Sequence, residues 1–448
     1  MASAYPGVDF PMRRNIFPTF VAQWLAATRG RALQARIVHD RAFWSDVFRT
    51  WFESGKPFRQ LANLFGSECA VLQEWLSHPE PDAYWDAHNP SPEQCGRMQI
   101  PILTITGIYD DDQPGALEHY RQHMLHASPS ARAQHYLIIG PWDHAGSAGT
   151  PRAEFGGLKV GDAALIDFLQ LHHEWYAWTM QGGPKPRFLE KAVAYYVTGS
   201  ERWRYADSLE AITASHQTYF LDSSGAANDV FASGSLGTAR ATGLPDHYLY
   251  DPRDSGAPEI RVEADADESS LIDQATTLAL SGRQLVYHSA PFEEDTEVGG
   301  FFRLCAWIAI DCPDTDFHVS VHEIDPRGAS LRLSTTALRA RYREGVRTPK
   351  RIDTAAPLRY DFEGFTFVAR TVRRSHRLRL IIAPIGRPIE TKFAQKNYNA
   401  GGVVADESAV DGRAVRVALY HDAEHPSALY VPLTSSHTAA RSHRSSVV

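Results

Sequence analysis

The stretch Gln99–Gly146, "QIPILTITGIYDDDQPGALEHYRQHMLHASPSARAQHYLIIGPWDHAG", reads as two strands joined by a helix. "PILTITG" is a short apolar run that stops at Gly107, the pattern of a strand covered on both faces. "PGALEHYRQHML" follows, with Pro114 near the start of a predicted helix. "YLIIG" is a second buried-strand run, ending at Gly140. Strand, helix and strand in this order make a βαβ crossover, so the two strands are predicted to run parallel. Ligands of open α/β sheets bind beyond the carboxyl ends of the strands. Asp110 and His144, each just past a strand end, are therefore predicted on one edge.

An Asp after one strand and a His after the next is the order of an α/β-hydrolase: Ser, then Asp, then His. There the carboxylate fixes the imidazole tautomer, and the other ring nitrogen takes the serine proton. Asp111 is the fallback acid if the loop turns one residue later. Other readings stand beside this one. Asp110 can simply cap the helix that starts near Pro114, with His144 a loop histidine. Asp110, Asp111, Asp112 and His144 can also be read as ligands of a hard cation. However, consecutive residues point in different directions and no second His or Glu stands at ligand spacing, so no metal is expected. His172 and Glu174 in "LHHEW" are two apart and share no helix face.

Working outward, residues 10 to 97 read as helices with aromatics at spacings of three and four, Trp24, Trp44, Trp51, Trp75 and Trp85 among them. "LANLFGSECAVLQEWLSHP" continues that pattern. After His144, "GDAALIDFLQLHHEWYAWTMQGG" is a long amphipathic helix, with Leu165, Phe168, Leu169, His172 and Tyr176 on one face and Gly182 and Gly183 as its stop. From Pro186 to Leu433, short segments such as "AVAYYVTG", "DFHVSVHEI" and "HRLRLIIAP" are divided by Gly, Pro, Asp and Asn, which argues for a β-sandwich or jelly roll. In "DFHVSVHEI", Phe317, Val319 and Val321 are predicted on the core face, and His318, Ser320 and His322 toward solvent. The domains expected are a helical region 1–98, an α/β region 99–186, a β-sandwich 187–433 and a flexible tail 434–448.

A chain of 448 residues is too long for one core. Its net charge of −8 and lack of clustered Lys and Arg argue against nucleic acid as a partner. The basic stretch Arg339–Arg351 reads as a solvated face. No apolar run reaches the length of a membrane span, and "MASAYPGVDFPMRRN" has no signal-peptide core. Cys69, Cys95, Cys305 and Cys312 form no C-x-x-C pair, so free thiols in a reducing cytoplasm are expected.

The nucleophile is the gap. Chain order places it before Asp110, where the serines are Ser3, Ser45, Ser54, Ser67, Ser77 and Ser91. None stands in G-x-S-x-G on a strand-to-helix turn. "AGSAG" around Ser147 and "SGSLG" around Ser235 come near the letters, with Ala145 and Ser233 in place of the first Gly, and read as chance matches, and Cys69 and Cys95 lack an elbow too.

"ILTITGIYDDDQPGAL" and "YLIIGPWDHAG" resemble the cocaine-esterase-like (CocE/NonD) serine hydrolases, which are related to Xaa-Pro dipeptidyl-peptidases. "VAYYVTGSERWRYADSLE", "SGRQLVYHSAPFEEDTEVGG", "DTDFHVSVHEIDPRGAS" and "SHRLRLIIAP" extend the resemblance across residues 10 to 433. It implies α/β plus all-β architecture: the C-terminal part of an α/β-hydrolase domain with a helical cap, followed by a jelly-roll β-sandwich of galactose-binding-like type. It also implies Asp110 as triad acid, His144 as triad base, an acyl ester or amide substrate and no cofactor. In that family the serine elbow and most of the sheet precede the cap. The chain is accordingly expected to be N-terminally truncated, with at most two parallel strands and a missing N-terminal segment or a second copy of itself as partner. The alternative, from a different class, is a non-catalytic protein that binds a ligand or partner through its β domain.

Overall fold

The computed structural model describes residues 5–28, 35–38, 40–65, 69–240, 242–254, 271–272, 281–385 and 394–435. Ser67 and nearly all of the expected tail, residues 436–448, lie outside them.

Strand β1, Ile102–Gly107, and strand β2, His135–Gly140, pair in parallel with Gly107 opposite Gly140. Ile105, Leu137, Ile138 and Ile139 are all buried, as two covered faces require. The helix Gln113–His126 connects the strands, with a proline in its first turn. The sheet does not stop at two strands. Val193–Val197 pairs in parallel with β2, and Arg202–Ala206 returns antiparallel beside it, giving four strands with β1 at one edge. These segments were expected to open the β domain. Instead, all five residues of Val193–Val197 are buried, so the run belongs to a sheet covered on both sides and not to an alternating sandwich strand.

Before this sheet, Phe20–Thr28, Arg41–Ser54 and Ala70–Leu76 are α-helices, with a 3-10 segment at Phe58–Phe65. The predicted continuous helix through "LANLFGSECAVLQEWL" is thus two elements. Asp40 caps one helix by accepting from Phe43 N at 3.0 Å, and Gly55 ends it in the left-handed region at φ 62°. Trp44, Trp51, Trp85, Phe17, Phe48 and Phe58 make the core of this region. The helix Phe168–Gln181 packs through Phe168, Leu171, Trp175 and Trp178, while Leu169 and Tyr176 are exposed. The packed face is therefore rotated from the one that the sequence suggested.

Thirteen further strands form the β-sandwich around a single large apolar core. Phe317, Val319 and Val321 are in that core. The opposite face of the same strand is not solvated: Ser320 and His322 are buried, and His322 Nε2 lies 2.9 Å from Ser320 Oγ. Arg339 and Arg341, read as part of a solvated basic face, are buried against Asp316 and Asp314 at 2.8 and 2.7 Å. Asn397 Nδ2 ties the two carboxylates together at 3.0 and 2.9 Å. Asp316 faces Arg339 across the strand pair, so the register itself supplies the counter-ion.

The small sheet and the sandwich are joined by backbone. Thr198 N donates to Ala369 O at 3.1 Å, and Thr371 N donates to Thr198 O at 2.8 Å. All four cysteines are buried and none is in a disulfide. Among the described residues, no helix is long and apolar enough to cross a membrane.

Candidate active site

The loops after β1 and β2 lie against each other because both strands end in glycine. A Cβ on Gly107 would overlap the Trp142 carbonyl, and one on Gly140 would stand 2.3 Å from the Trp142 ring. That close approach lets Ile108 N donate to Gly140 O at 2.8 Å and Tyr109 N to Trp142 O at 3.0 Å. Trp142 is buried and anchored by Nε1 donating to Ala164 O at 2.9 Å. The two loops are thereby fixed in register, and Asp110 and His144 meet above them.

His144 Nδ1 lies 3.1 Å from Asp110 Oδ1. The Asp110 side chain has no solvent exposure, whereas that of His144 is 61% exposed. Asp110 is locked by its own loop: Asp112 N donates to its Oδ1 at 3.0 Å, and the Ser147 hydroxyl donates to its Oδ2. With these donors around Asp110, the fitting tautomer of His144 carries its proton on Nδ1 and its lone pair on Nε2. Asp112 Oδ2 adds a second carboxylate 3.4 Å from the same Nδ1. Asp143 next door has a different job. It caps the short helix His144–Ala148 by accepting from Gly146 N at 2.8 Å, and it pairs with Arg152.

Three further residues complete this site: Asp112 was named by sequence only as a candidate cation ligand, Ser147 only as a chance motif match, and Gln113 not at all. Asp112, and not the fallback Asp111, is the second carboxylate beside His144, because the chain turns back on Asp110 Oδ1 at that residue. Ser147, taken as a chance match, contacts the Asp110 carboxylate and the His144 backbone carbonyl, not the imidazole. Its place one helical turn after His144 was the available signal. Gln113 is fully buried and bridges the units: Nε2 donates to Gly107 O and Ile108 O at 3.1 and 2.9 Å, and Oε1 accepts from Phe367 N at 2.7 Å.

Ligand atoms of Asp110, Asp112 and His144 lie within 4.8 Å of one another. A cation there would compete with the donors that already occupy both oxygens of Asp110, and it would need the His144 Nδ1 lone pair in place of its proton. This donor set fits an acid–base pair better than a metal.

In the sandwich, besides Ser320–His322, a further serine–histidine contact has His288 Nδ1 3.1 Å from Ser233 Oγ. Arg379 Nε donates to His288 Nε2 at 2.7 Å, so the Nδ1 proton must point at the serine. Burial and the Arg379 charge push this imidazole down to about 4. It cannot accept the serine proton, and the contact is structural.

Two family models match the chain. The X-Pro dipeptidyl-peptidase C-terminal non-catalytic domain covers residues 186–428, more than half of it, and the X-Pro dipeptidyl-peptidase (S15 family) covers residues 18–146. The cocaine esterase of Rhodococcus sp. (strain MB1 Bresler) is 24% identical over 374 residues, which are 81% of this chain and 61% of that protein. The chain thus spans about three fifths of the length of that curated relative. An α-amino acid ester hydrolase structure overlays with a TM-score of 0.77 at 18% identity, covering 96% of this chain and 72% of that one. A CocE/NonD family hydrolase from Staphylococcus aureus overlays with a TM-score of 0.56 at 13% identity, covering 88% and 62%. At these identities the overlays show the fold, an α/β-hydrolase-like unit followed by a β-sandwich.

Proposed function

The chain belongs to the X-Pro dipeptidyl-peptidase and CocE/NonD family of hydrolases, and from that membership we propose that it serves the hydrolysis of esters or amides, with Asp110 and His144 as acid and base of a Ser-His-Asp triad. The observation that carries this reading is the 3.1 Å contact between a carboxylate with no solvent exposure and an imidazole that is 61% exposed. Buried Asp110 holds the Nδ1–H tautomer, and Nε2 is the nitrogen that takes a nucleophile's proton and later returns it to the leaving group. Asp110 and Asp112 then stabilise the imidazolium formed between those two steps. Ser147 and the Asp112 amide position Asp110 and touch no reacting atom. No serine in residues 1–448 follows a strand in a G-x-S-x-G turn, so the proposal assigns this chain the acid–base part of the site and leaves the nucleophile to be located by labelling.

The test is hydrolysis of an activated acyl ester, together with fluorophosphonate labelling, by the protein purified from cells carrying its own gene. Saturable turnover that His144→Ala lowers by about 10⁶-fold is the expected result. Turnover that survives His144→Ala removes His144 from the role. A second reading, a non-catalytic binding protein, is favoured by the non-catalytic domain model that matches more than half of the chain. Absence of both turnover and label, with a ligand held by the sandwich, would support it.

A further inference from the structure

A cleft of about 560 Å³ opens between the N-terminal segment, the helix Gln113–His126 and the sandwich, and neither Asp110 nor His144 lines it. Its walls carry Arg13, Arg14, Arg121 and Arg303 against Glu118 and Glu363. On a chain of net charge −8, this is a local reversal of sign. Gathering four guanidiniums costs repulsion and hydration, which an anion would offset. The resident carboxylates do so only in part: Glu363 acts on Arg14, and Glu118 and Glu210 act on Arg121, through space. Among the described residues, no salt bridge joins Arg14, Arg121 or Arg303 to a carboxylate. Glu118 instead accepts from Gln122 Nε2 at 2.7 Å.

The arginines are also pre-set. Arg13 and Ile16 exchange backbone hydrogen bonds of 3.0 Å around a tight turn, with Arg14 at φ 48° and Asn15 at φ 66°. Asparagine tolerates the left-handed region, but arginine adopts it under strain, and such strain gathers at functional positions. Asn15 clamps the turn: its Nδ2 donates to Pro79 O and Val346 O at 3.0 and 2.8 Å, and its carbonyl accepts from Arg339 Nη1 at 3.0 Å. The Arg14 side chain lies on Gly364, where a Cβ would stand 2.6 Å from its Cδ and Nη1. Arg14 Nε is buried and has no hydrogen-bond acceptor. The Arg121 guanidinium sits 4.6 Å from the centre of the Phe301 ring, and that of Arg303 sits 5.3 Å from the centre of the Tyr430 ring. Stacked guanidiniums keep their edge N–H groups for planar oxygen acceptors. Burial pulls Arg14 and Arg121 below their ordinary values, the direction of cations short of counter-charge.

We propose that this cleft binds a small, multiply charged oxyanion, a polycarboxylate or a phosphate-bearing molecule, held by Arg14, Arg121 and Arg303. The volume suits a small molecule, and bidentate oxyanion pairing is what guanidinium does best. The proposal is independent of the hydrolytic reading. Calorimetric titration with pyrophosphate and with citrate, each against sodium chloride of equal ionic strength, tests it on the full chain. Arg14→Asn keeps a residue that accepts the left-handed turn, and Arg121→Met keeps apolar bulk against Phe301. At least one anion is expected to bind at one site per chain, and each variant is expected to weaken it by about tenfold or more. Preference for pyrophosphate assigns a phosphoryl ligand and preference for citrate a polycarboxylate, and either outcome supports the site. Binding no stronger than chloride, or equal binding by the wild type and both variants, overturns it. If Arg14→Asn fails to fold, Arg303→Met replaces it and is expected to show the same weakening.

Discussion

The sandwich and the small sheet bury polar groups in different ways. In the sandwich, Asp246 accepts from Ser223 Oγ at 2.5 Å, Ala227 N at 3.0 Å and Tyr287 Oη at 2.7 Å, and lies 3.1 Å from His421 Nε2. The Arg339–Asp316–Asn397–Asp314–Arg341 set is paired directly in the same manner, with Arg341 Nη2 left without a partner. Along the helix that carries the small sheet's crossover, the sets are open. Near its first turn, Asp9 receives Tyr5 N and Phe10 N on one oxygen, each at 2.7 Å, while the other oxygen has no partner, and burial pushes the carboxyl up to about 7. Near its end, His123 and His135 face each other Nδ1 to Nδ1 at 3.0 Å, so one proton lies between them, and burial pushes His135 down to about 3. The stability of both halves thus follows pH, through Asp9 and His135 beside the small sheet and through His288 in the sandwich.

The two histidines His144 and His288 give the largest contrast. His144→Ala is expected to lower turnover by about 10⁶-fold, whereas His288→Gln should leave turnover unchanged, as initial rates on an activated ester would show. Next comes acid. The folded value of His135 is depressed, so the stability it contributes is complete above pH ~6.5 and is lost as pH falls toward about 3. The ceiling is about 5 kcal/mol. Amide hydrogen exchange is expected to show the helix Gln113–His126 opening before the sandwich as pH drops through that window. Asp316→Ala should destabilise the sandwich by about 3–5 kcal/mol in urea melts, because it strands a buried Arg339. Asp9 has the opposite sign to His135. Its folded value is raised, so its contribution is complete below pH ~4 and lost as pH rises to about 7, at a cost of at most about 4 kcal/mol. Asp9→Asn is therefore expected to gain stability over the wild type at pH 8, with the gain vanishing at pH 4. Ser147→Ala, which leaves one Asp110 oxygen short of a donor, should cost about 1–2 kcal/mol of stability and far less activity than His144→Ala.

The parts legible from sequence are those with a local signature. Two apolar runs closed by Gly107 and Gly140 marked a doubly covered strand pair, and that pair alone placed Asp110 beside His144. Val193–Val197 carried the same continuous apolar signature, but pairing with β2 across more than fifty residues leaves no local trace, so the run was grouped with the strands after it. The places of Asp112 beside His144 and of Ser147 on Asp110 were missed because loop side-chain direction is set by one hydrogen bond, Asp112 N to Asp110 Oδ1, that no spacing encodes. Arg339 and Arg341 looked solvated because their partners, Asp316 and Asp314, stand on the facing strand and the loop before it.

The central claim is that buried Asp110 fixes exposed His144 with its proton on Nδ1. Nitrogen-15 NMR of the His144 imidazole near pH 7, in the wild type and in Asp110→Asn, tests it directly and needs no substrate. The account predicts an Nδ1-protonated ring in the wild type, with a strongly deshielded Nδ1 proton that is lost in Asp110→Asn. A ring protonated on Nε2, or spectra that do not change when Asp110 is replaced, would contradict it.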